Sequence, residues 1–131
     1  MTRASRRVAL VTGSSRGFGR AIALRLGLDG YAIAVNGLHE DGEAAAVAHA
    51  IRAAGGVARA FIGDVTDESS VNELVSAVSS QLGRVDVLVL NATGPQPDIA
   101  LGDTSWPDHL DQLMFFVASP VWVGRAVLEG M

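Results

Sequence analysis

Four short apolar runs, Val8–Val11, Ala32–Val35, Val57–Ile62 and Val85–Leu90, recur along the chain, separated by stretches of helix length. This alternation constrains the fold more than any other feature. The runs Ala32–Val35 and Val87–Leu90 are almost continuously apolar, as strands buried on both faces must be. The intervening stretches Gly17–Asp29, Glu40–Ala54 and Asp67–Leu82 read as helices, and a last one runs from Trp106 to about Leu128. A βαβαβαβα succession predicts a doubly wound parallel α/β sheet, Rossmann-like, with strand order 3-2-1-4 and helices on both faces. The whole of 1–131 reads as one domain without repeat or linker.

Local punctuation agrees with this reading. Gly30 and the pair Gly55–Gly56 stand where helices should stop, because glycine accepts a left-handed backbone there. Thr66 is expected to cap the third helix, with Asp67 and Glu68 in its positive first turn. Ser105-Trp106-Pro107-Asp108 has the form of a capping box with proline near the helix start. Pro120 is expected to kink the last helix or weaken one of its turns.

The segment Thr12-Gly13-Ser14-Ser15-Arg16-Gly17-Phe18-Gly19 joins the first strand directly to the first helix. Gly13 suits a sharp turn out of a strand. Gly17 removes a Cβ where a backbone must approach a pyrophosphate, and Gly19 lets the helix lie close on the sheet. Free N–H groups and the helix dipole at such a junction attract a phosphate. The spacing is neither G-x-G-x-x-G nor a P-loop. A structural turn without ligand is the plain alternative, and likewise Asp64 could cap a strand end and Asn91 could be a turn residue.

Composition narrows the classes. A net charge of −4 argues against general nucleic-acid binding. The basic start Arg3, Arg6 and Arg7 reads as a solvated tail. The longest uncharged apolar-rich stretch, Gln112–Gly124, is shorter than the ~20 residues that span a bilayer, so no membrane segment is expected. With no Cys there is no disulfide or thiolate metal site, and a cytoplasmic setting is expected. His39, His49 and His109 form no metal pattern, and Asp103, Asp108 and Asp111 read as loop and capping acids. A receiver-type domain would need an acidic cluster where this chain has Thr12-Gly13-Ser14.

The glycine loop, Asp64-Val65 after the third strand, and Asn91-Ala92-Thr93-Gly94 after the fourth together resemble the short-chain dehydrogenase/reductase family. The ending Arg125-Ala126-Val127-Leu128-Glu129-Gly130-Met131 is similar to the end of that family's long interface helix. The resemblance implies hydride transfer between a nicotinamide cofactor and a carbonyl or alcohol. It implies cofactor contacts from Gly13, Ser14, Ser15, Arg16, Gly17, Phe18, Gly19, Asn36, Asp64, Val65, Asn91, Ala92, Thr93 and Gly94, with Asp64-Val65 at the adenine. Asn36 and Gly37 at the end of the second strand carry no charge that would repel a 2′-phosphate. Arg16 could pair with that phosphate, or stand solvated in the loop. NADP(H) is therefore expected over NAD(H), although Leu38 stands where NADP-preferring members often carry a second basic residue.

The family's proton-transfer residues have no match here. They are a Tyr, a Lys four residues later that lowers its pKa, and a Ser that polarises the carbonyl. The chain has no Lys, and its one Tyr, Tyr31, opens the second strand. The chain thus reads as the family's cofactor-binding front part, truncated after the helix that follows the fourth strand, with no catalytic residue and inactive alone. Counting back from Ser119-Pro120 puts Phe116 where the family has a further catalytic Asn. The alternative is a non-catalytic nucleotide-binding or interaction module. Finally, Leu110, Leu113, Met114, Val117, Val121 and Leu128 make one apolar stripe on the last helix, with Phe115, Phe116, Trp122 and Val127 on other faces. A homo-oligomer through that helix is expected.

Overall fold

The computed structural model describes residues 6–130; Arg3 of the basic start lies outside them. Four strands, β1 (Val8–Val11), β2 (Ala32–Gly37), β3 (Val57–Ile62) and β4 (Val85–Val89), form one parallel sheet in the order β3-β2-β1-β4. The helices are α1 (Gly17–Leu28), α2 (Glu43–Ala53), α3 (Glu68–Gln81), α4 (Trp106–Leu113) and α5 (Ser119–Leu128). The expected doubly wound architecture is therefore present.

Its cause is visible in the alternation of side chains along the central strands, since successive residues of a strand face opposite sides of the sheet. Val8, Leu10, Ala32 and Ala34 pack on one face with Val71, Leu74, Val78, Val123 and Val127 of α3 and α5. Ala9, Val11, Ile33 and Val35 pack on the other with Ala23, Val47, Ala48 and Ile51 of α1 and α2. Every residue of β1 and β2 is buried. Small residues let the layers close: a Cβ on Gly27 of α1 would sit 2.8 Å from the Ile51 side chain of α2.

The sheet has a bulge where β1 meets β4. The pairing shifts between Val8 and Ala9, which skips Asp86. The Asp86 carboxylate then accepts the Val8 N–H at 2.8 Å, replacing the strand partner that the bulge removes.

Two local expectations need correction. The second helix begins at Glu43 rather than Glu40, because Gly42 takes φ +87 and Asp41 turns back to accept the Glu43 N–H. Thr66 does not cap the third helix. Its hydroxyl donates to Asp64 at 2.6 Å, and Asp67 accepts the Ser70 N–H as the cap instead. The last helix runs from Trp106 to Leu128 as expected, with one altered turn just ahead of Pro120. A π turn over Met114–Ala118 separates α4 from α5, with the Ser119 N–H bonded to the Met114 carbonyl. Pro120 has no N–H to offer the Phe116 carbonyl four residues back, so the preceding turn is free to widen.

The capping box at the start of α4 is present as expected: Ser105 and Asp108 bond reciprocally. The Ser105 backbone N–H, and then its hydroxyl, hold the Asp108 carboxyl below the ordinary aspartate range. On α5 the buried face is Ser119, Val123 and Val127, with Trp122 and Ala126 packed beside it. The expected stripe, including Leu110, Leu113, Val117, Val121 and Leu128, faces outward. β4 is an edge strand beyond which Leu90 is exposed.

Candidate functional site

All four strands run parallel, so their carboxyl ends share one edge, where doubly wound sheets carry their ligand crevice. A cavity of about 630 Å³ lies there. It is lined by the glycine loop (Gly13, Ser15, Arg16, Gly17, Phe18), the end of β2 and its turn (Asn36, Leu38, His39, Asp41, Glu43), the end of β3 (Gly63, Asp64, Val65), the loop after β4 (Asn91 to Pro95), and Phe115.

The loop is built by close approach. Gly13 has φ +61, and a Cβ there would come within 2.8 Å of the Ala92 Cα. At Gly19 a Cβ would overlap the Gly13 carbonyl and the Asn91 amide nitrogen. Gly17 is different: φ is +60, and a Cβ would meet nothing within 4 Å. The backbone there borders open space at the mouth of the cavity. Among the described helices α3 and α4 have side-chain N-caps, but α1 has none and no acid in its first turn. Its uncapped N–H groups and positive dipole end border the same open space, which is how a doubly wound sheet receives a phosphate. The residues present thus fit the diphosphate of a dinucleotide.

The predicted site residues divide into those that border the cavity and those that hold the loop in shape. Ser14 is fully buried and does not line the cavity. Its hydroxyl donates to the Val11 carbonyl at 2.8 Å and accepts the Asn36 N–H at 2.9 Å. Gly19 is also a packing position. Asn36 touches the cavity, but its side chain is engaged internally. Oδ1 accepts the Gly13 N–H at 3.0 Å, while Nδ2 donates to the Phe61 carbonyl at 3.2 Å. Asn91 donates through Nδ2 to the Thr12 and Gly13 carbonyls at 3.1 and 3.0 Å. Arg16 and Phe18 are exposed at the mouth, and Arg16 has no ion pair among the described residues. Asp64 accepts from the Thr66 N–H and hydroxyl through Oδ1.

Several residues of the site were not in the expected set. Thr12 is 1% exposed, and its hydroxyl accepts the N–H groups of both Asn91 and Ala92 at 3.0 Å, tying the two loops together. Its place before Gly13 was the available signal. Leu38 and His39 border the cavity because they follow β2. Phe115 rather than Phe116 reaches the cavity, and Phe116 is half exposed. Tyr31 precedes β2 at the opposite edge of the sheet, under the Arg7 guanidinium at 5.9 Å. No group of acids and histidines that could hold a metal ion occurs among the described residues. None of their helices is long and apolar enough to cross a membrane.

The sheet order, the crevice and the uncapped glycine turn define a doubly wound nucleotide-binding protein. The profile of the short chain dehydrogenase family matches residues 7–131. The chain belongs to the short-chain dehydrogenase/reductase family, a family of oxidoreductases. It is 44% identical over 88 residues to the short-chain dehydrogenase/reductase eriH of Hericium erinaceus, covering 65% of this chain and 35% of that protein. It is 41% identical over 105 residues to the 3-oxoacyl-[acyl-carrier-protein] reductase FabG of Staphylococcus epidermidis, covering 79% of this chain and 43% of the enzyme. Among solved structures, a blue fluorescent protein from a metagenomic library in complex with NADPH matches with a TM-score of 0.88 and 35% identity. That match covers 95% of this chain and 51% of the other. A metagenomic short-chain oxidoreductase in complex with NADP matches with a TM-score of 0.87 and 30% identity, covering 95% and 56%. The chain thus spans less than half the length of these curated relatives and about half that of the solved structures.

Proposed function

We propose that this chain forms the cofactor-binding part of an oxidoreductase of the cytoplasm that passes hydride between a nicotinamide dinucleotide and a carbonyl or alcohol. NADP(H) is the preferred cofactor over NAD(H). The observation that carries this reading is the uncapped start of α1 opening at Gly17 onto the cavity. The NADPH and NADP complexes of the similar structures support it. In this reading the backbone N–H groups of Ser15, Arg16, Gly17 and Phe18 hold the diphosphate. Asp64, through its free Oδ2, and Val65 hold the adenine. The loop Asn91-Ala92-Thr93-Gly94 borders the opposite ribose. Gly13, Ser14, Gly19 and Asn36 keep the cradle in shape. When bound, the cofactor supplies the hydride. The proton-transfer step needs groups this chain does not contain, since it has no Lys and Tyr31 stands at the far edge.

The preference for NADP(H) rests on Arg16. Among the described residues that border the cavity it is the one Arg, and its charge is what offsets Asp41 and Glu43 there. Arg16→Ala is expected to weaken NADPH binding by roughly 1.5–3 kcal/mol, the range for a charge-assisted hydrogen bond, and to leave NADH nearly unchanged. Calorimetric titration of both cofactors checks this; equal losses would remove Arg16 from the 2′-phosphate. In the same preparation the chain alone is expected to oxidise no NADPH with carbonyl substrates; turnover that is lost on glycine-loop mutation would contradict that.

The outward faces of α4 and α5 carry Trp106, Leu110, Leu113, Phe116, Val117, Val121 and Leu128, all exposed. So large an apolar surface favours burial against a second copy. The chain is proposed to pair through these helices. Light scattering is expected to show a dimer or larger species at micromolar concentration, and a stable monomer would refute the pairing.

A further inference from the structure

The cavity has two unlike ends. The turn after β2 contributes Leu38 and His39 at one end, and Phe115 stands with the loop after β4 at the other. In doubly wound folds the second strand's tip receives the ribose on the adenine side. The β4 end therefore faces the other half of a dinucleotide.

The loop at that end is clamped from α4 and from the π turn. Gln112 donates through Nε2 to the Pro95 carbonyl at 3.1 Å. The Phe115 ring lies so close over Gly94 that a Cβ there would overlap it. The ring belongs to the π turn over Met114–Ala118, and the next residue, Phe116, is half exposed. Such turns are rare and recur at functional sites.

We propose that Phe115 is a specificity-determining contact for the nicotinamide end of the cofactor. Its ring closes the cavity beside Gly94 and gives a planar heterocycle and its ribose an apolar surface free of water. The inference rests on the dinucleotide reading above. Aromatic contacts of this kind contribute about tenfold in affinity at most. The side chain offers no hydrogen bond, so it orients the ring by shape alone.

The test compares NADPH with adenosine 2′,5′-bisphosphate, which lacks the nicotinamide half, by titration of the whole chain. Phe115→Ala is expected to weaken NADPH about tenfold and leave the bisphosphate unchanged. Phe116→Ala is expected to leave both unchanged. Phe115→Leu keeps apolar volume over Gly94 and serves if the alanine variant fails to fold; it is expected to lose NADPH affinity selectively, by about threefold. Reduced-nicotinamide fluorescence on binding is expected to be weaker in both Phe115 variants than in the parent. Equal losses for the two ligands mean that Phe115 only supports the loop and overturn the proposal, as does unaltered NADPH affinity in the variants. A parent chain that binds neither ligand overturns the dinucleotide reading and this inference together.

Discussion

Gly19→Ala is expected to destabilise the chain by about 3 kcal/mol, the upper range for overpacking a close-packed site, and to weaken NADPH binding by at least about 100-fold. Gly19 packs α1 against the loop after β1 with no room for a methyl group. The atoms in the way are the Gly13 carbonyl and the amide of Asn91. The first is backbone and cannot swing aside. The second is already fixed by bonds to the Thr12 and Gly13 carbonyls. Relief requires α1 to withdraw from the sheet, which moves the Gly17 turn away from the cavity. Gly124→Ala is the control: a Cβ there meets nothing within 4 Å, and alanine favours a helix by up to about 1 kcal/mol. Urea unfolding and cofactor titration of both variants check the contrast. Parental stability and affinity in Gly19→Ala would show that the helix has slack the structure does not display.

Asn36→Leu is the second large effect, expected at about 3 kcal/mol of stability. The side chain is 2% exposed. Leucine keeps the branched shape but is bulkier, and it leaves the Gly13 N–H without its side-chain acceptor, which costs roughly 1–3 kcal/mol when buried. Asn36→Asp separates structure from cofactor choice. If residue 36 faced the adenine-side ribose, the carboxylate would raise NADH affinity. Because Asn36 points into the loop and the end of β3, Asn36→Asp is expected to destabilise the fold without raising NADH affinity. Thermal unfolding with parallel NADH and NADPH titrations distinguishes the two, and a gain for NADH would place residue 36 at the ribose.

The sequence by itself determined the sheet and where its crevice opens. Apolar strands alternating with helices leave few solutions, and the parallel order follows from right-handed crossovers. The glycine loop was legible because its glycines fall between a strand and a helix, where geometry leaves little choice. Asp64, Val65 and Asn91 to Gly94 were picked out by their resemblance to the family's motifs, and they border the cavity. What each residue does there was decided only in three dimensions. Ser14, Asn36 and Asn91 belong to the same loops as Arg16, yet their side chains turn inward. Buried backbone groups of neighbouring loops need partners, and those groups come from segments far apart in sequence. The start of α2 and the cap of α3 also shifted, because Asp41 and Asp67 bond locally in ways composition does not rank. The last helix shows the limit most plainly. Within the π turn ahead of Pro120, Phe115 borders the cavity while its neighbour Phe116 is half exposed. Helix periodicity is a local property, but which aromatic faces the cofactor cleft depends on how that helix docks on α3 and on the loop after β4.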